Sequence, residues 1–181
     1  MKESHFQAPL TSIVVAGGGA AGWLTAAILA AEHNIKNNDR VSVTLVESPD
    51  VKILGVGEGT WPTMRDTLRK IGISEADFIA SCDASFKQGT RFVNWKSTES
   101  ENVYDHPFSL PAGFFEGEVG AWWLSHGHKH QKSTFSEMFS TQSLLCNFSK
   151  APKQVQTPPY AAVANYGYHL DAHKFAELLK T

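Results

Sequence analysis

The chain has 181 residues, with 16 Lys and Arg against 18 Asp and Glu, 42% hydrophobic residues and 19% charged ones. That is ordinary globular material, enough for one sizeable domain or a large part of a bigger protein. A net charge of −2 supplies no clustered positive field for a nucleic acid or a membrane surface, so neither is expected as a partner. No apolar run approaches the roughly 18–20 residues of a bilayer span. The opening MKESHFQAPLTS has no apolar core of a secretory signal. Cys82 and Cys146 fit no metal or redox motif, which points to reduced thiols in a cytoplasmic protein.

In chain order, Ser12–Ala16 is a short β-branched run ending at glycines and predicts a buried strand. Ala20–Ala31 places Leu24, Ala27, Ile28 and Ala31 at helical spacing. Val41–Glu47 predicts a second strand, so the chain opens as β-α-β, the start of a parallel sheet that normally continues. A glycine-rich loop, VKILGVGEGTWPT, follows, and then a helix with Pro62 in its first turn and Met64, Leu68 and Ile71 on one face. Ser74 and Asp77 resemble a capping box opening a short helix through Cys82. Arg91–Trp95 predicts a strand, 97–133 long loops, and Thr134–Cys146 one helix. Tyr166–Leu170 predicts a strand, and Asp171 caps a last helix with Phe175, Leu178 and Leu179 on its apolar face.

Gly17, Gly18, Gly19, Ala20, Ala21 and Gly22 fit G-x-G-x-x-G, which is weak evidence alone. Here a strand precedes it, a helix follows it, and Glu47 ends the second strand. Gly17 allows a tight turn, Gly19 lets backbone N–H groups approach a pyrophosphate, and Gly22 lets the helix pack close. The helix N-terminus offers free donors and a partial positive charge. Glu47 can accept from ribose hydroxyls and disfavours a 2′-phosphate, which argues against NADP. Spacing does not decide between FAD and NAD. The strap Val51–Thr63 suits a large ligand. Its Glu58 is either a ligand contact or the acid that complements the following helix.

Four segments then occur together: GGGAAGW at 17–23, GVGEGTWP at 55–62, FKQGTRFVNW at 86–95 and YHLDAHKFAELLK at 168–180. In order and approximate spacing they resemble flavin-dependent tryptophan halogenases, from about Ile13 onward. The resemblance implies an α/β, Rossmann-like, glutathione-reductase-type FAD-binding fold with long loop insertions. It implies reduced FAD, supplied by a separate flavin reductase, that yields hypohalous acid with O₂ and a halide ion. The oxidant reaches a small aromatic substrate such as an indole through a tunnel containing a lysine. Lys87 lies at that lysine's position, although its residue type alone reads as a surface cation. Such a role implies a confined, mostly apolar channel.

The same resemblance implies cofactor contacts from Gly17, Gly18, Gly19, Ala21, Gly22 and Glu47, and from Ser48, Leu54, Val56, Gly57, Glu58 and Gly59. It implies substrate contacts from His106 and Phe108 in the segment DHPF. Tryptophan-specific members often carry Ala and Ile where this chain has Gly59 and Trp61. The family's Trp-x-Trp-x-Ile-Pro motif, catalytic glutamate and helical substrate module have no counterpart in these residues. The 181 residues are therefore expected to be the N-terminal part of a longer enzyme, inactive alone. The other readings are a flavin monooxygenase or oxidoreductase without halide chemistry, and an inactive nucleotide-binding fragment. His126, His128 and His130 invite a metal, but no Asp or Cys sits at supporting spacing, so a polar loop is preferred. Trp122 and Trp123 are expected to be packing residues.

Overall fold

In the computed structural model, residues 9–51, 55–95, 102–129 and 133–181 are described, His128 without its side chain. Leu54 and His130 lie outside the described residues. The chain divides into two compact units.

The first unit takes 9–51, 55–58, 66–84 and 170–181 of the described chain. Strand β1 (Ser12–Ala16), helix α1 (Ala20–Glu32) and strand β2 (Ser42–Val46) form the expected β-α-β, with β1 and β2 parallel and Ser12 opposite Ser42. The expectation that β1 is buried is not met. Ile13, Val15, Val43 and Leu45 share a half-buried face, whereas Val14 is 64% and Val46 55% exposed on the other. Side chains alternate across a sheet, and these two strands carry α1 against them. Helix α2 (Met64–Lys70) contributes the buried Leu68, and α3 (Glu75–Ser81) the buried Phe78. Ser74 accepts from the Asp77 N–H at 3.5 Å. Asp171 ends β7 (Gly167–Asp171) and caps α7 (Ala172–Leu179), accepting from the Lys174 N–H at 3.0 Å. Phe175 of α7 meets Phe78 edge-on at 5.5 Å, so α3 and α7 share one core with Leu68, Cys82 and Ala176. Burial pushes the Cys82 thiol up to about 11, which keeps it protonated and inert.

The second unit takes 59–65 and 85–169. A three-stranded sheet is ordered β3 (Gly57–Gly59), β7, β4 (Ser85–Lys87). Strands β4 and β7 are antiparallel, with Lys87 opposite Gly167 and Ser85 opposite His169. The glycine-rich strap thus supplies a strand as well as a loop. A hairpin joins β5 (Gly89–Val93) and β6 (Val103–Pro107). Strand β5 begins and ends earlier than expected because Asn94 turns the chain at φ +52°. Asn tolerates that left-handed conformation.

The stretch 97–133 is not all loop. It contains β6, α4 (Val119–His126) and a 3₁₀ turn at Gly127–Lys129. The polar composition of β6 hid a strand whose backbone pairs with β5. The predicted helix over Thr134–Cys146 is two helices, α5 (Phe135–Phe139) and α6 (Gln142–Asn147). Ser140 is extended between them, and its hydroxyl accepts from the Gln142 N–H at 3.2 Å. Serine bonding of this kind competes with the helix ladder. Thr134 and Glu137 form a reciprocal capping box at the start of α5. Trp122 and Trp123 pack on Phe139 at 6.0 and 6.3 Å between ring centroids, as expected of packing residues. Among the described residues no helix is long and apolar enough to cross a membrane.

Candidate functional site

The first unit carries the glycine loop. Gly17 sits at φ +128°, a conformation closed to L side chains, and its N–H donates to the Val46 carbonyl at 2.9 Å. The loop therefore turns sharply where β1 meets β2. A Cβ on Gly22 would collide with the Gly17 carbonyl oxygen, and one on Gly18 with the Glu47 side chain. A Cβ on Gly19 would meet nothing within 4 Å. Gly19 caps α1 with no side-chain hydrogen bond, and the first turn, which contains Ala21, holds no acid. Neither the N-cap nor an acid of the first turn therefore supplies a side-chain acceptor to the N–H groups opening α1, which suits an anion-binding helix start. This cradle, with a carboxylate beside it, fits a dinucleotide pyrophosphate and ribose.

Glu47 is held by two partners. The Trp23 indole N–H donates to its carboxylate at 3.3 Å, and the Lys180 ammonium lies 3.6 Å away. Lys180 also sits 5.8 Å from the Trp23 ring centroid. The tryptophan after the last fingerprint glycine and the lysine near the chain end thus both lie against the acid, and Lys180 also bonds Glu177 at 2.8 Å. Ser48 follows it and accepts from the Asp50 N–H at 3.3 Å. The Val56 carbonyl accepts from the Ala172 N–H at 3.1 Å, tying the strap to the start of α7. Gly57 runs beside the Leu170 carbonyl, and Glu58 is exposed on β3.

The second unit carries Lys87 at the end of β4, half-buried. Its ammonium lies 5.8 Å from the Trp61 ring centroid and 5.6 Å from that of Phe108. The two rings are 5.5 Å apart. A Cβ on Gly59 would lie 3.1 Å from Lys87 Nζ and 3.4 Å from His169 Nδ1. Gly59 therefore falls with Lys87, where its missing side chain makes room for the ammonium. The expected confined channel is, among the described residues, an open aromatic groove, since Trp61 is 61% exposed.

Two cavities adjoin this cluster. One of about 340 Å³ is lined by Lys87, Arg91, Asp105, His106, Cys146 and His169 among others. The second, about 420 Å³, is lined by Trp61, Phe108, Phe114, Phe135 and Phe139, with His106 also in its lining. His106 lies exposed on β6 opposite Thr90, so of the two predicted substrate residues only Phe108 has its ring on Lys87. Arg91 grips Asp105 through two hydrogen bonds of 2.7 and 3.0 Å. That grip holds the Asp105 carboxyl below its ordinary range. Partial burial, and then the Lys87 charge, lower His169 from its usual value.

Asn165, which sequence reasoning missed, holds Phe108 in place. Its amide N–H donates to the Phe108 carbonyl at 3.1 Å and its side-chain oxygen accepts from Arg65. Arg65 also donates to the Tyr160 carbonyl at 3.1 Å and stacks on Tyr166 at 4.5 Å. Gln142 is almost fully buried, and its amide bonds the Asn165 carbonyl and the Ser109 N–H at 2.6 and 2.7 Å. Among the described residues no three His, Cys, Asp or Glu side chains converge as a metal site.

The sequence profile of the family described as tryptophan halogenase matches residues 12–181. The solved tryptophan halogenase of Shewanella frigidimarina is 48% identical, with a TM-score of 0.86 over 98% of this chain and 35% of that one. A flavin-dependent halogenase from Xanthomonas campestris is 29% identical, with a TM-score of 0.77 over 94% of this chain and 32% of that one. The tryptophan 6-halogenase ThaL of Streptomyces albogriseolus is 28% identical over 94% of this chain. The chain spans 34% of that relative's length. With its Rossmann-like β-α-β opening and mixed α/β fold, the chain belongs to the tryptophan halogenase family.

Proposed function

We propose that the chain is the FAD-binding, lysine-bearing portion of a flavin-dependent halogenase that acts on an indole or another electron-rich aromatic. The observation that carries this reading is the half-buried Lys87 ammonium, held against Gly59 and beside both the Trp61 and Phe108 rings. The N–H groups of Gly19 and Ala21 would hold the pyrophosphate, Glu47 the ribose, and the strap through Gly57 and Glu58 the rest of the cofactor. When bound, FAD delivered reduced by a separate flavin reductase would supply the chemistry that turns O₂ and chloride or bromide into hypohalous acid. The Lys87 ammonium donates a hydrogen bond to the oxygen of that acid and makes the halogen more electrophilic. In its neutral form, the amine would instead take the halogen as an N–X bond while the O–X bond breaks and water leaves. Phe108 and Trp61 offer ring faces to the substrate and keep water from one side of the ammonium.

The protein is read as cytoplasmic, meeting its reductase only through diffusing flavin, with no nucleic-acid or membrane partner. The test is product formation by the full-length protein with FAD, a flavin reductase, NADH, O₂ and indole, with and without bromide. Aryl bromide that requires the halide is the expected result. A hydroxylated product formed equally without halide would replace the reading with a flavin monooxygenase.

A further inference from the structure

Lys87 does not stand alone on its side of the sheet. Lys87 pairs with Gly167 and Ser85 with His169, so Lys87 and His169 are diagonal neighbours on one face. Phe86 and Tyr168 point to the other face, where their rings stack at 6.4 Å. Lys87 Nζ and His169 Nδ1 both lie within 3.5 Å of one point above Gly59, and both line the cavity of about 340 Å³. The Trp61 and Phe108 rings lie to one side of the ammonium. An ammonium pushed away from His169 therefore leaves its place above Gly59.

The geometry points to His169 as a positioning residue for Lys87: a neutral imidazole lets the ammonium rest over Gly59, and a protonated one drives it off. The inference rests on the halogenase reading of Lys87 for its consequence, but not for the coupling itself. The other charged groups on the cavity wall, Arg91 of β5 and Asp105 of β6, are paired with each other. His106 of β6 and Cys146 of α6 are the remaining titratable groups there. On its own strand, Asp171 is engaged in capping α7. Among the described residues that line this cavity, Lys87 is thus the cation that a charged His169 would meet. The imidazole is already held below its ordinary value by partial burial and by that lysine.

Two measurements on the full-length protein decide the matter. The first is an NMR titration of the His169 ring, assigned by its loss in His169→Asn. The midpoint is expected below 6.5 and should rise in Lys87→Met, because removing the lysine charge removes the repulsion. An unchanged midpoint overturns the coupling. The second is the pH profile of halogenation. His169→Ala, uncharged at every pH, should lose the acid limb of the profile with flavin affinity unchanged. His169→Asn, also neutral at every pH, should lose the acid limb in the same way. An acid limb that survives in His169→Asn, as it would if His106 carried it, overturns the proposal. A wild type that makes no aryl halide contradicts the halogenase reading, and the coupling is then judged by the titration.

Discussion

The two units build their sites in opposite ways. The candidate cofactor cradle is built from backbone, with Gly17, Gly18, Gly19 and Gly22 clustered in sequence and the Glu47 side chain beside Gly18. The lysine site works through side chains drawn from distant segments: Trp61, Lys87, Phe108 and His169. A backbone site is intolerant of added atoms and indifferent to most polar changes nearby. A side-chain site tolerates small changes in volume but depends on the groups that fix each rotamer. Substitutions should therefore separate cleanly into those that abolish flavin binding and those that leave it intact while misplacing the lysine or its aromatic walls.

The largest effect should come from Gly22→Val. Its Cβ meets a backbone carbonyl, that of Gly17, which is locked at φ +128° and cannot move aside cheaply. Flavin titration should show binding lost, with about 1–3 kcal/mol of stability gone in urea unfolding. Unaltered flavin affinity would contradict the cradle. Asn165→Ala comes next. It removes the bonds to Phe108 and Arg65 and should cost about 1–3 kcal/mol. It should lower aryl halide formation while leaving flavin affinity alone; a change in flavin affinity would break the division between the units.

Arg91→Gln should have the smallest effect, about 0.5 kcal/mol at neutral pH, because the pair is half-exposed. Arg91 lowers the folded value of Asp105 from 3.8, so its stabilisation is present above 3.8 and lost as pH falls through the lowered folded value. Acid unfolding curves of the variant and the wild type should therefore converge below that value. A constant gap at all pH values would mean that Arg91 acts through packing instead.

The same contrast explains what was legible in the sequence. The β-α-β opening, the glycine fingerprint, Glu47 and the Asp171 cap depend on neighbours within a turn or a crossover, and their positions held within one or two residues. Lys87 and Phe108 were marked only by the resemblance. Nothing in their own residue types separates them from a surface cation and a packing ring. His169 escaped notice because its meeting with Lys87 depends on a strand register that one sequence does not print. Asn165 escaped because its bonds reach Arg65 and Phe108, far away in the chain. Strand β6 and helix α4 were read as loop because composition outweighed pairing. Helix α5 was merged with α6 because the apolar positions run on past the extended Ser140.

The measurement that tests the central claim most directly is a paired one on Lys87→Ala in the full-length protein. The same preparation would be titrated with FAD and assayed for aryl halide with a flavin reductase, O₂ and bromide. The predicted result is unchanged flavin affinity and reductase-driven flavin oxidation, with aryl halide down by ~10²-fold or more, the loss expected for a group that acts on the reacting atoms. Normal aryl halide formation by that variant would contradict the assignment of Lys87 and, with it, the account of the second unit's site.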